Sequence, residues 1–191
     1  MPEYRRLFRP GGTYFFTLVT VDRRPFLCDD LARFLLHESI AAARTNHPFH
    51  INGIVLMPDH LHMMITLPED DQDFSHRLAA IKAIFTHDYL AAGGRESLQS
   101  ASRRRHRHRG VWQRRFWEHL IRDQDDFNNH LDYIHYNPVK HSRAACPHAW
   151  AYSSFKRWVS SDGYEPSWQC ICDGQCPVPP RFQGLGDLEL E

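Results

Sequence analysis

No apolar run in the 191 residues approaches the ~18–20 that a membrane-spanning helix needs. The opening twelve residues, MPEYRRLFRPGG, carry charges with no apolar stretch behind them, which argues against a secretory leader. A cytosolic protein is the expectation. Net charge is missing too, because 23 Lys and Arg balance 23 Asp and Glu. The balance is uneven along the chain. Residues 160–191 hold six acids and one base, so residues 1–159 carry 22 bases against 17 acids. A mildly basic body with an acidic end admits a nucleic-acid partner without demanding one. Cysteine is sparse and odd in number: Cys28, Cys146, Cys170, Cys172 and Cys176. An odd count argues against a disulfide scaffold. Cys170-x-Cys172-x3-Cys176 matches no common C-x2-C zinc knuckle and shows no second pair. It reads as reduced thiols in a loose tail. No internal repeat is present.

The chain is not short of core-forming residues. Hydrophobic residues make up 42% and aromatics 13%, enough to bury a core and to exclude wholesale disorder. Gly11-Gly12 opens a β-branched and aromatic run, 13–21, that predicts a strand. Asp29 or Asp30 caps a predicted helix to about Arg44, with Leu31, Phe34, Leu35 and Ile40 on one side. Strands follow at 49–57 and 60–67, joined at Pro58-Asp59 as a hairpin. Asp73 or Ser75 caps a second helix to about Leu90, marked by Leu78, Ile81 and Phe85. Residues 91–110 turn small, polar and basic, with six Arg and one Glu. They read as a solvated loop or as a basic arm on phosphates. A fourth strand lies within 114–122, and a helix begins at Asp125. The order β-α-β-β-α-β-α predicts an α+β fold, an antiparallel four- to five-stranded sheet with helices packed on one face. Residues 1–159 form one domain in this reading. A short amphipathic piece with Trp150, Tyr152, Phe155 and Trp158 packs back on it, and residues 160–191 form an acidic, flexible tail.

Two clusters of residues carry chemistry. In Asp59-His60-Leu61-His62, alternation on a strand turns both imidazoles to one face and Leu61 to the other. Two imidazoles aimed at one spot can hold a divalent ion, although H-x-H is a weak signal in a chain with 14 His. On the last helix, Phe127, Leu131 and Ile134 form the buried stripe. Tyr133 and Asn137 sit one turn apart on a neighbouring face, close to His130. Spacing alone leaves Tyr133 open as an ordinary surface residue. Asn137 precedes Pro138, which predicts that it lies at the frayed helix end.

Three stretches then occur in order: Met57-Pro-Asp-His-Leu-His-Met63, Trp112-Gln-Arg-Arg-Phe-Trp-Glu-His119 and Leu131-Asp-Tyr-Ile-His-Tyr-Asn-Pro-Val-Lys140. Together with Glu3-Tyr-Arg-Arg6 and Gly11-Gly-Thr-Tyr-Phe-Phe-Thr17, they closely resemble the REP-associated tyrosine transposases. These are a branch of the one-tyrosine transposases in the His-hydrophobic-His (HUH) endonuclease superfamily, which has a ferredoxin/RRM-like fold. The resemblance runs from about residue 3 to about residue 158. The basic loop looks longer than usual, and the Cys-containing tail has no counterpart.

The resemblance implies that His60, His62 and Asn137 are metal ligands and that Tyr133 is the nucleophile, with Tyr136 its rival in the same motif. It implies a divalent cofactor, Mg²⁺ or Mn²⁺, and a single-stranded DNA hairpin of repetitive palindromes as partner. Cleavage would leave a 5′-phosphotyrosine and a free 3′-hydroxyl. The branch looks monomeric, although many one-tyrosine transposases are dimers. Arg5, Arg6, Arg9, Arg114 and Arg115 are candidate phosphate contacts, and Lys82 is a candidate to face the site. Phe116 and Trp117 are candidates to stack bases. Two rival classes remain. A zinc-dependent hydrolase using His60, His62 and a distant carboxylate would act without either tyrosine. A hairpin-binding protein that has lost cleavage would bind without forming an adduct.

Overall fold

The chain is tied down just before its first strand: the Gly11 amide donates to the Pro68 and Asp71 carbonyls, and the Gly12 amide to the Arg9 carbonyl. Gly11 sits at φ +65°, where its lack of a Cβ permits the turn into the first strand. The computed structural model describes residues 7–98, 105, 109–172, 174, 177, 178 and 180. Its main elements are β1 Thr13–Val19, α1 Asp30–Asn46, β2 His50–Leu56, β3 His60–Thr66, α2 Phe74–Ala91, β4 Trp117–Leu120, α3 Gln124–Lys140 and α4 Phe155–Val159. The strands form one antiparallel sheet in the order β2-β3-β1-β4. This is the expected α+β arrangement, with four strands.

The sheet is covered on both faces, not on one as the element order suggested. Tyr14, Phe16, Leu18, Leu61, Met63 and Ile65 pack with α1 and α2 through Leu36, Ile40, Leu78, Ile81 and Phe85. Phe15, Val55 and Met64 point the other way and pack with Leu131, Tyr133 and Ile134 of α3. The reason is visible in the strands: β1 carries large apolar side chains on both sides and β3 is buried on both, so a single layer of helices would leave half of that surface in water. The inward stripe of α1 is Ala32, Leu36, Ile40 and Ala43, whereas Leu31 and Phe34 are exposed, contrary to the sequence reading. Positions 32, 36, 40 and 43 recur at helical spacing on one side, and 31 and 34 fall off it.

α3 comes unusually close to the sheet at Gly53, beside a register shift in β2. A Cβ at Gly53 would lie 2.8 Å from a Leu131 methyl and 3.1 Å from an Ile134 methyl. Gly53→Val is therefore expected to destabilise the protein by about 1–3 kcal/mol through overpacking. Urea unfolding checks this, and an unchanged midpoint would show that α3 can back away at no cost.

Within the stretch after residue 160, expected to be a loose tail, two aromatic side chains pack on the body. Tyr164 donates to Asp132 of α3 at 2.5 Å, and Trp168 lies against Tyr164 and Phe155 at ring separations of 4.7 and 6.0 Å. Two aromatic side chains outweigh the acidic composition of the stretch as a whole. The basic-loop residues 99–104 and 106–108, and residues 181–191, lie outside the described residues, as do Arg5 and Arg6. Where the basic loop is described it is closed at its base, with Arg109 bidentate on Glu96.

Candidate active site

The strand register decides which side chains meet α3. His60 stands opposite Val19, His62 opposite Thr17 and Val55, and Met64 opposite Phe15 and Gly53. Paired residues share a face, so His60 and His62 both turn toward α3 while Leu61 enters the other core. The two rings lie 4.8 Å apart and are buried.

α3 starts with Asp123 capping the Asp126 amide and runs on through Pro138 to Lys140. Asn137, expected at a frayed helix end, is thus inside the last turn. Pro138 costs the helix one amide donor, which is tolerated this near its terminus. From that turn the Asn137 amide oxygen reaches His60 Nε2 at 3.2 Å. One turn earlier, the buried Tyr133 ring lies 5.2 Å from His62 and 6.0 Å from Phe15. His60, His62, Tyr133 and Asn137 are therefore brought together, from elements far apart in the chain.

Both imidazoles are held from behind. Asp59 lies 2.8 Å from His60 Nδ1, and Thr17 Oγ1 lies 2.9 Å from His62 Nδ1. A carboxylate can only accept, so His60 Nδ1 donates to Asp59, and Nε2 is the nitrogen turned toward Asn137. Arg23 reaches the other Asp59 oxygen at 3.1 Å. Burial alone would raise the Asp59 pKa, but the hydrogen bonds and positive charge of His60 and Arg23 outweigh it and bring it down to about 2. Burial, then the neighbouring His60, His141, Lys140 and Arg23, push the His62 pKa well below its usual range, which keeps that ring neutral. Two imidazole nitrogens and an amide oxygen suit a divalent cation.

Lys140 is a residue the sequence reading did not single out. It lies seven positions after Tyr133, two turns along one helix face, and Nζ donates to the Tyr133 hydroxyl at 3.1 Å. That spacing was the available signal. His141 and Arg143, just past the helix, line a cavity of about 410 Å³ with Arg23, Asp59 and His60. This cavity is the mouth of the site. Arg23 also lines an adjoining cavity of about 490 Å³ with Gln113, Arg114 and Arg115. Asp22 and Arg23 sit at φ 57° and 49°, a left-handed pair that costs of order 1 kcal/mol per residue and aims Arg23 at Asp59.

The remaining candidates separate. Arg114 and Arg115 border the mouth. Lys82 does not face the histidines: α2 covers the opposite side of the sheet, and Lys82 Nζ donates to the Gln113 carbonyl at 2.7 Å, propping the Arg114 loop. Burial lowers its pKa to about 8. Arg9 precedes the Thr13 end of β1, whereas His60 pairs with Val19 at the other end. Phe116 packs against Phe16 and Phe74, and Trp117 against Phe15, so both rings serve the core. His130 stays out of the site. Its Nδ1 donates to Asp126, 2.8 Å from the carbonyl and 3.1 Å from the carboxylate, and with His119, 2.8 Å from the same carboxylate, it clamps β4 to the first turns of α3. Tyr136 turns away toward Trp168, with ring centroids 6.5 Å apart.

Comparison with known proteins fits this geometry. The model of the family described as "Transposase IS200 like" matches residues 11–137. A REP-associated tyrosine transposase of Escherichia coli K12 is 40% identical over 168 residues, covering 88% of this chain and 91% of that protein. A Haemophilus influenzae protein provisionally given the same description is 42% identical over 170 residues, covering 88% and 93%. A solved structure of a REP-associated tyrosine transposase bound to a REP hairpin is 36% identical, covers 96% of both chains and superposes with a TM-score of 0.75. The chain belongs to the IS200-like transposases and, within them, to the REP-associated tyrosine transposases.

Proposed function

We propose that this protein is a metal-dependent single-stranded DNA endonuclease and strand transferase acting on REP-like palindromic hairpins in the cytoplasm. The observation that carries the reading is the placement of the Tyr133 hydroxyl, held by Lys140, in the same buried pocket as the His60–Asn137 pair and His62. His60, His62 and Asn137 would hold Mg²⁺ or Mn²⁺, which supplies Lewis-acid polarisation of a phosphate oxygen when bound. Tyr133 attacks the scissile phosphorus as its phenolate. A bond forms between the phenolic oxygen and phosphorus, and the bond to the 3′ oxygen breaks. The phenolic proton passes to solvent, and the departing 3′ oxygen takes one up as a hydroxyl. The reverse attack rejoins strands without an external energy source. Asp59 and Thr17 orient the two imidazoles, and Arg23, Arg114 and Arg115 meet the backbone at the mouth. All four central residues come from one chain, so cleavage needs no second copy.

Incubating the protein with labelled hairpin DNA and Mn²⁺, then running a denaturing gel, tests the proposal through a covalent adduct. Hairpin binding without an adduct in Mn²⁺ or Mg²⁺ would overturn it in favour of a binding protein. Lys140→Met should slow adduct formation about 10- to 100-fold, or roughly 1.4–2.7 kcal/mol in the barrier, because the ammonium no longer faces the developing phenolate. Single-turnover cleavage measures this, and an unchanged rate would reduce Lys140 to a packing role. Arg114→Ala with Arg115→Ala should weaken binding and lower the salt slope by about 1 per lost phosphate contact. A salt titration of affinity that leaves the slope unaltered would remove them from the interface.

A further inference from the structure

Just past the C-terminal end of α3, where the Ala144 amide donates to the Pro138 carbonyl, two short arms meet. One is Cys146-Pro147-His148, in which Cys146 precedes the tight turn Pro147–Ala149. The other is Cys170-Ile171-Cys172. The Ile171 amide donates to the Ala145 carbonyl at 3.2 Å, which sets the arms side by side. Their Cα atoms are 4.3 Å apart at Cys146 and Cys170, and 6.8 Å at Cys146 and Cys172. The Cys146 sulfur lies against the sulfurs of both Cys170 and Cys172, and the ligand atoms of Cys146, His148 and Cys170 lie within 4.8 Å of one another. The second pair that the sequence lacked as a C-x-C is therefore a C-x-H, 24 residues upstream of Cys170.

We propose that Cys146, His148, Cys170 and Cys172 form a structural zinc site. Valence decides against a disulfide as the explanation of the cluster. One sulfur makes one disulfide, which would leave a third thiol against Cys146 and an imidazole beside Cys146 and Cys170 unexplained. Three thiolates and one imidazole are a common tetrahedral zinc set, whose donor atoms lie under about 4 Å apart. Soft sulfur ligands also separate this site from the one at His60, where nitrogen and oxygen suit a harder ion. Zn²⁺ binding displaces three thiol protons to solvent, and His148 binds through a neutral nitrogen, so no oxidant or reductant is involved.

The site has a purpose in the fold. The segment it closes carries Tyr164 and Trp168, which pack on Asp132, His135 and Tyr136 of α3. The metal would staple this aromatic arm to the back of the helix whose front presents Tyr133. Cys28 lies elsewhere, partly buried beneath the Leu56 carbonyl, and serves as an internal control.

Elemental analysis of the full chain, purified without chelator, tests this independently of the catalytic reading. About one zinc per chain is expected. It should persist in the His60→Ala/His62→Ala double variant and in Cys28→Ser, and be lost in Cys170→Ser/Cys172→Ser. Should the last variant fail to fold, replacement of the metal in the wild-type chain by Co²⁺ should give thiolate-to-cobalt charge-transfer bands. Zinc that disappears with His60 and His62 would overturn the proposal. So would a zinc-free chain, whether alkylation under denaturing, non-reducing conditions finds five free thiols or two fewer.

Discussion

Tyr133→Phe should abolish the covalent protein–DNA adduct while leaving the protein folded and able to bind a hairpin. The substitution removes one oxygen from a buried ring and keeps the ring itself. Its contacts with His62 and Phe15 survive, and Leu131 and Ile134 still anchor α3 on the sheet. What disappears is the hydroxyl held by Lys140 at 3.1 Å, a loss of about 1 kcal/mol of stability at most. Without a nucleophilic oxygen, adduct formation should fall by at least about 10³-fold, as for other covalent catalysts stripped of their nucleophile. Tyr136→Phe should keep the adduct, because that ring points toward Trp168 and not toward the histidines. Mass spectrometry of the DNA-linked peptide distinguishes the two. An adduct mapped to Tyr136 would mean that α3 presents a different face during cleavage, and the proposed chemistry would have to move with it.

His60→Ala should be nearly as damaging to cleavage, by at least about 10²-fold at ordinary Mg²⁺, and should leave hairpin affinity almost unchanged. The alanine removes the nitrogen that faces Asn137 and leaves Asp59 with Arg23 as its remaining partner of the two described above. Binding should persist because the arginines at the mouth are untouched. His62→Ala should behave alike in cleavage but cost more stability, about 2–4 kcal/mol, since His62 is packed between Phe15 and Tyr133 while His60 borders the cavity. Cleavage by His60→Ala at the normal rate would show that the imidazole pair is not the metal site. Excess Mn²⁺ should restore part of the lost activity if affinity for the cation is what the substitution removes.

Much of this arrangement is local and therefore readable along the chain. Period-2 alternation puts His60 and His62 on one side of β3 and Leu61 on the other, whatever the strand packs against. Four-residue spacing puts Tyr133 and Asn137 on one face of α3, and seven-residue spacing adds Lys140. Strand and helix order follow from apolar period, caps and breakers, and the three motifs in sequence point to the family. The tertiary structure alone decided which face α3 would cover. β1 carries large apolar side chains on both sides, so its pattern does not say where a helix sits; the crossing of α3 over Gly53 and Val55 does. That choice buries Tyr133 and turns it from a plausible surface residue into the neighbour of His62. It also removes Lys82 from the site, because α2 takes the other face. Thr17 acquires its role only through strand pairing, which joins residues 45 positions apart at Thr17 and His62, whereas Asp59 holds the ring of its own chain neighbour. The Cys and His arms were hidden for the same reason. Each is too short to form a motif, and only the fold brings Cys146, His148 and Cys170 to one point, with Cys172 against Cys146.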